Sequence, residues 1–556
     1  MLATDSKRCK HIHRAKHHSP LDAKTHEEHP FMTRPGPFFF SAVWPSKLAG
    51  GTAAVPVLFL VALLAGCSAI TPPPTIAVAA PPVWYAPLPS GSGILNASSA
   101  NALSTTTSSL PHEGSLTSLS QWWRQQNDNL LVELIEAAQT VSPDVITARS
   151  NILQAQATRA GSEAALLPTL DAIANVSRSQ AAPINRTTVL PLTSAAQVGL
   201  QTSWELDLFG ANRASLEADS QRLEGSEALW HAARVSVASE VANQYYTLRA
   251  CGDLLAVARS DAQSRSETAR LNELSAKAGF TAPATAALAR ASAAEGRSRA
   301  TQQQAECEVN VKAMVALTAI PEPELRQKLA QTPATPPQQP IMEISSVPAD
   351  VLSQRPDVYN AARALGAASF EVGSARAQRY PRLSITGNIA TNKTRARNFT
   401  QSFDTWSFGP LALTVPLFDG GASEANLEAA KARYEEVAGK YRGTVRQAVR
   451  EVEEALVNLK SYADRNDDTA AAAEGYRASF TGTEARYKAG LASLVELEES
   501  RRTLLSAQSS VISLGRAERS AWVALYRALG GGWTTAAAPA TPMVFDIPES
   551  LMPSWP

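Results

Sequence analysis

From Ala196 to Phe209 the chain alternates between apolar and polar residues. Val198, Leu200, Thr202, Trp204, Leu206 and Leu208 fall on one side of an extended strand, and Gly199, Gln201, Ser203, Glu205 and Asp207 on the other. A second alternation sets Leu383, Ile385 and Ile389 against Ser384, Thr386 and Asn388. Such patterns suit a barrel strand with one face in lipid, and equally half of an ordinary sandwich. The longest segments follow a different rule. Residues 212–278 and 422–488 contain no proline, and at about 1.5 Å per residue each predicts a helix of roughly 100 Å. No compact globular domain holds two of these. Shorter helices are predicted over 143–165 and 356–378, each opening behind a proline, and over 284–318 and 494–529. One return helix and one opening helix, end to end, match one long helix.

These elements come in two sets. Pro143-Asp144-Val145 recurs as Pro356-Asp357-Val358, and Leu167-Pro168-Thr169-Leu170 as Tyr380-Pro381-Arg382-Leu383. Leu216-Glu217-Ala218 recurs as Leu427-Glu428-Ala429, and Lys277-Ala278-Gly279 as Lys488-Ala489-Gly490. Anchors in the same order at nearly constant spacing mark an internal duplication, with a first repeat over 119–320 and a second over 349–533. The proline-rich stretch 321–348 reads as the linker between them, and 534–556 as a loose tail. Asn175 to Pro191 and Thr391 to Thr405 are expected as surface loops, with Trp204, Trp406 and Phe408 as interfacial aromatics or ordinary core. Four strands per chain cannot close a barrel, and an open sheet edge in lipid leaves backbone groups unsatisfied. Three chains supply twelve strands and an open bore.

Residues 51–66 are apolar, preceded by Lys47 and ended by Leu64-Ala65-Gly66-Cys67. The run is too short for a comfortable transmembrane helix and reads as a secretory signal. Its last four residues resemble a bacterial lipobox, which implies cleavage before Cys67, a lipid on Cys67, and, with Ser68 next, sorting to the outer membrane. Residues 1–31 hold six of the eight histidines. They read as a non-native extension ahead of an ordinary signal starting at Met32, or as a metal-binding tract. Residues 67–118, rich in Pro, Ser, Thr and Ala, read as a lipidated, extended lead-in.

Composition narrows the function. Equal numbers of basic and acidic residues, 51 each, exclude a generally basic nucleic-acid binder. His112 and His231, the only histidines beyond the signal, have no metal-ligand spacing. No phosphate-binding loop or nucleophile elbow occurs, so neither an enzyme nor a cofactor beyond the lipid is expected. Glu451, Glu453 and Glu454 read as a charge-laced helix surface.

Trp204-Glu-Leu-Asp-Leu-Phe-Gly210, Pro416-Leu-Phe-Asp-Gly-Gly421, Arg486-Tyr-Lys-Ala-Gly490 and Tyr526-Arg-Ala-Leu-Gly-Gly-Gly-Trp533, together with the lipobox, resemble the outer membrane factor family. These are the TolC-type channel-tunnels, and the chain is similar to their NodT-like lipoprotein branch, which serves RND efflux systems. The resemblance implies a mainly α protein with membrane β structure. Its homotrimer would form a twelve-stranded β-barrel in the outer membrane lipid, continued by a long α-helical periplasmic barrel. It implies a periplasmic adaptor (a membrane fusion protein) and an inner-membrane pump as partners. It also implies adaptor-docking tips at Lys277, Gly279 and Phe280 and at Lys488, Gly490 and Leu491. A periplasmic gate is implied at Val495, Glu496 and Glu499, with Arg502 one turn on. Glu496 and Glu499, at i and i+3, share a helix face. Three chains would gather them into a cation-attracting ring, unless they are a solvated face with Glu499 paired to Arg502. Cys251 and Cys307 lie equally far from Gly279. A hairpin folded there brings them level, where a disulfide or two free thiols would serve.

The reading is a passive outer membrane exit duct for small molecules. The alternatives are the duct of a type I protein secretion system and, in another class, a lipid-anchored periplasmic scaffold without a barrel.

Overall fold

The computed structural model describes Pro73, Tyr85, Ala86, Trp123 and residues 128–180, 192–332, 355–397 and 399–532. Cys67, the signal, most of the lead-in and the tail lie outside the described residues. The elements run α1 (Asn129–Val141), α2 (Pro143–Ala164), β1 (Thr169–Ser179), β2 (Thr193–Leu206), α3 (Ala211–Lys277), α4 (Pro283–Thr318), α5 (Glu322–Gln331), α6 (Pro356–Ala377), β3 (Arg382–Ala396), β4 (Phe399–Thr414), α7 (Ala422–Lys488) and α8 (Leu494–Ala528). α3 and α7 are each 67 residues long. No helix among the described residues is long and apolar enough to cross a membrane.

The strands form one antiparallel sheet in the order β1-β2-β3-β4. Its registers sort the side chains. Leu170, Val198, Leu200, Trp204, Ile385, Ile389, Trp406, Phe408, Leu411 and Leu413 share one face. Asp171, Asn175, Gln197, Gln201, Thr386, Asn388, Asn392, Thr405 and Ser407 share the other. From Val198 to Leu206 the apolar band covers about 27 Å along the strand, close to the height of a barrel's lipid-facing belt once tilted. Trp204 stands in that band, and its indole Nε1 donates to the Leu166 carbonyl at 3.0 Å.

Several expectations need correction. β2 spans Thr193–Leu206 and not Ala196–Phe209, because Asp207 turns back to accept from the Arg213 N–H at 2.8 Å and starts α3. Of the segments expected as loops, Asn175 to Pro191 is strand as far as Ser179, with 181–191 outside the described residues, and Thr391 to Thr405 is largely strand, with β3 running to Ala396 and β4 following from Phe399. Polar residues such as Asn392 and Thr405 lie there on the polar face of the sheet rather than in a loop. The linker contains a helix, α5, because Pro321 and Pro323 stand at its first turn, where a proline costs nothing. Glu451 and Glu453 do more than decorate a surface. Glu451 pairs with the buried Arg355 at 2.8 Å, and Glu453 accepts the Tyr85 and Ala86 N–H groups, both at 2.7 Å. Glu454 pairs with the exposed Arg450.

The main core gathers α1, the middle of α3 and the ends of α4, α5 and α8 around Trp123, Leu131, Leu134, Tyr245, Met314 and Leu325. Asp128 caps α1 and accepts the Tyr245 hydroxyl at 2.5 Å. His231, also in α3, is buried, and burial followed by the charge of Arg234 lowers its pKa from 6.5 to about 4. The folded chain therefore resists a proton that the unfolded chain accepts. The stability this contributes is complete above pH 6.5 and is lost as pH falls toward 4. At pH 5 the loss should be about 2 kcal/mol per chain. A guanidinium midpoint that falls less between pH 7 and pH 5 for His231→Gln than for the parent would establish it; equal falls would refute it.

Candidate functional site

Both long helices end alike. Lys277 and Lys488 close α3 and α7 one residue before the C-caps Ala278 and Ala489. Gly279 and Gly490 follow with φ of 79° and 76°, a left-handed conformation that favours glycine. The Phe280 and Leu491 N–H groups reach back to the Ser275 and Arg486 carbonyls at 2.9 and 2.8 Å, closing a Schellman motif at each tip. Phe280 and Leu491 then project into solvent, 87% and 71% exposed. Lys277 and Lys488 pair back along their own helices with Glu273 and Glu484.

The returning helices start differently. α4 opens on Pro283 with no side-chain cap. α8 opens on a capping box: the Glu496 N–H donates to Ser493 Oγ at 3.1 Å, and the Ser493 N–H donates to Glu496 Oε2 at 3.4 Å. The Ser-x-x-Glu spacing announces this box in the sequence. Glu496 is thus partly engaged by its own helix start. Val495 is exposed, and Glu499 and Arg502 form an exposed ion pair, so Val495, Glu499 and Arg502 line one outer face at helical spacing.

The opposite face of α8 carries residues that the sequence did not single out. Leu494, Leu497, Glu498 and Arg501 repeat at i, i+3, i+4 and i+7 and turn toward α3 and α4. Glu498 Oε2 accepts from Arg265 Nη1 at 2.6 Å and from Ser292 Oγ at 2.8 Å. Arg265 Nε donates to Asp261 at 2.9 Å. Arg501 pairs with Glu498 and donates to Ser264 Oγ and Thr268 Oγ1 at 3.1 and 3.2 Å. Asn272 Nδ2 donates to the Tyr487 hydroxyl at 2.6 Å. Burial raises the pKa of Asp261 and lowers that of Arg501. A Cβ on Gly296 would stand 2.8 Å from Arg265 Cδ, so glycine there clears the path of the guanidinium. The cluster clasps the α7–α8 hairpin to the α3–α4 hairpin. Asp261–Arg265 at i, i+4 was legible as a helix pair; its link to Glu498, in the other repeat, was not.

Cys251 and Cys307 are joined by a disulfide between α3 and α4, with Cα atoms 5.5 Å apart. Among the described residues no cluster of His, Cys, Asp or Glu could hold a metal ion.

An amphipathic sheet borne on hairpins of this length, with clasped tips at the far end, defines a channel with a long helical extension. The family model for outer membrane efflux proteins matches residues 134–319 and 347–531. The solvent efflux pump outer membrane protein SrpC of Pseudomonas putida is 28% identical over 417 residues, 73% of this chain and 86% of its own length. Outer membrane protein OprJ of Pseudomonas aeruginosa is 30% identical over 393 residues, 69% of this chain and 81% of its own. The crystal structure of the Campylobacter jejuni CmeC outer membrane channel superposes with a TM-score of 0.69 at 25% identity, covering 82% of this chain and 96% of that one. The chain belongs to the outer membrane efflux protein family. It is an exit duct of the outer membrane that extends into the periplasm.

Proposed function

We propose that three copies assemble into a twelve-stranded barrel continued by a helical tunnel, the passive outlet of a tripartite efflux system for small molecules and drugs. The supporting observation is the amphipathic four-stranded sheet, whose edges β1 and β4 have no second partner strand among the described residues. Bare edge groups cost several kcal/mol each in hydrocarbon, so four strands must recruit others. Lipid on Cys67 anchors each chain in the outer membrane. Solvents are the cargo in the name of SrpC, and small molecules of this kind are the class assigned here. A periplasmic adaptor grips the tips at Lys277, Gly279, Phe280, Lys488, Gly490 and Leu491, and an inner-membrane pump supplies the energy.

The gate in this reading is the start of α8. Val495, Glu499 and Arg502 from three copies face the axis, with Glu496 beside them, and the buried clasp holds the resting position. Planar-bilayer recordings test it. The parent should show a small, cation-preferring conductance, and Glu496→Gln/Glu499→Gln should lose the preference without losing the channel. Unchanged selectivity would remove the acidic ring from the mechanism. A reconstituted trimer that passes no current, even with the clasp removed, would refute the duct.

A further inference from the structure

The apolar face of the sheet changes character at the end away from the helices. The strands meet the helices at Thr169, Leu206, Arg382 and Thr414. At the opposite end the registers set Arg178 beside Ser194, Ser194 beside Arg395, and Lys393 beside Ala196. All five lie on the apolar face, because Arg178 is in step with Leu170, Ser194 and Ala196 with Val198, and Lys393 and Arg395 with Ile389. Arg178, Lys393 and Arg395 are exposed and have no ion-pair partner among the described residues. Asp404 is the one acidic side chain on that face among the described residues. It accepts from Thr391 Oγ1 at 2.8 Å and pairs with no described cation.

The three cations surround a low floor. Arg178 and Arg395 stand two strand spacings apart, about 10 Å, and Lys393 is one pleat, about 7 Å, from Arg395. Ser194 and Ala196, between them, have small side chains. Like charges gathered this way repel one another, and an anion seated among them removes the repulsion. Height along the sheet says which anion. From Leu206 to Ala196 the strand climbs about 34 Å, or about 26 Å when tilted near 40°. The lipid-facing belt of a barrel is about 25 Å tall, so Lys393 stands at its upper edge and Arg178 and Arg395 one pleat above. In a duct whose helices extend into the periplasm, that edge lies at the headgroups of the outer leaflet. The charged residues of the polar face, Asp171, Glu205 and Arg382, lie instead near the helical end, so the basic cluster is confined to one face and one level.

We propose that Arg178, Lys393 and Arg395 bind the phosphate groups of lipopolysaccharide, the anionic glycolipid of the outer leaflet, over the floor of Ser194 and Ala196. The assignment rests on the barrel reading above, which puts this face in lipid, and adds which lipid it holds. Each guanidinium can fork onto a phosphate with two N–H groups, the ammonium adds a third charge, and basic pockets at membrane surfaces bind lipid headgroups in this way.

Native mass spectrometry of the full-length protein in detergent, stripped of lipid and titrated with bis-phosphorylated lipid A, tests it. The parent should bind lipid A at least tenfold more tightly than Arg178→Gln/Lys393→Gln/Arg395→Gln, and at least tenfold more tightly than it binds dephosphorylated lipid A. Arg178→Lys/Arg395→Lys should keep most of the affinity. Equal binding of the two lipid A forms by the parent overturns phosphate recognition, a comparison that needs no variant to fold. Equal binding by parent and glutamine variant overturns the assignment to these residues. Phosphatidylglycerol or inorganic phosphate bound by the parent as tightly as lipid A overturns the glycolipid as the ligand. The barrel reading is judged separately by the same spectra: monomers in place of trimers overturn it, whereas trimers that ignore lipid A overturn only the lipid site.

Discussion

Channels carrying Glu498→Ala should conduct several-fold more current than the parent and show longer open times in planar bilayers. Glu498 pairs with both Arg265 and Arg501, which stand on opposite hairpins. Both arginines are almost fully buried. Removing the partner of a buried charge costs about 3–5 kcal/mol, most of it from the cation left behind. Here the tip can escape that cost by moving, because separating the hairpins lets water reach the arginines. Glu498→Gln keeps an acceptor for Ser292 and should fall between parent and alanine variant. Arg265→Met/Glu498→Leu separates charge from packing: it removes one ion from each side, leaves Arg501 within 3.9 Å of Asp261, and should stay nearly as closed as the parent. Should that double variant conduct like Glu498→Ala, the ion pair itself is the latch; should Glu498→Ala conduct like the parent, the clasp does not hold the tip.

The second large effect concerns the other hairpin. Cys251→Ser/Cys307→Ser should lower the stability of the folded chain by about 2–4 kcal/mol, as expected for a cross-link that closes a long loop. The bond joins cysteines at a sequence separation of 56 and ties α3 to α4. The corresponding residues of the other hairpin, Tyr462 and Glu518, are not cysteines, so only one of the two hairpins is stapled. A guanidinium midpoint of the oxidised parent against the double serine variant, in detergent, measures the effect; an unmoved midpoint would show that the helix packing alone holds the hairpin. Conductance should be unchanged, because the stapled hairpin is not the one bearing Val495, Glu499 and Arg502.

Much of this was legible in order along the chain. The duplication, the two long helices, the glycine turns at 279 and 490 and the level placement of Cys251 and Cys307 are local or periodic properties. Helical rise and strand alternation convert them directly into lengths and faces. Polarity misleads where it has two causes. The polar run after Thr391 resembles a loop, yet Asn392 and Thr405 are hydrogen-bonded partners across a β3–β4 ladder at 2.9 Å. Prolines have the same ambiguity at 321 and 323, since a proline can open a helix as readily as it can stiffen a linker.

The sequence by itself determined the repeat, the lengths of the two long helices, the apolar side of β2 and of the start of β3, and the class of protein, because each follows from spacing along one chain. Only the tertiary structure decided which face of α8 is inward. Leu494, Leu497, Glu498 and Arg501 and the outer set of Val495, Glu499 and Arg502 both recur at helical spacing, and both mix apolar with charged residues. Periodicity cannot rank two such stripes. The choice was made by Asp261 and Arg265, in the other repeat, whose buried charges are satisfied by the stripe that carries Glu498 and Arg501.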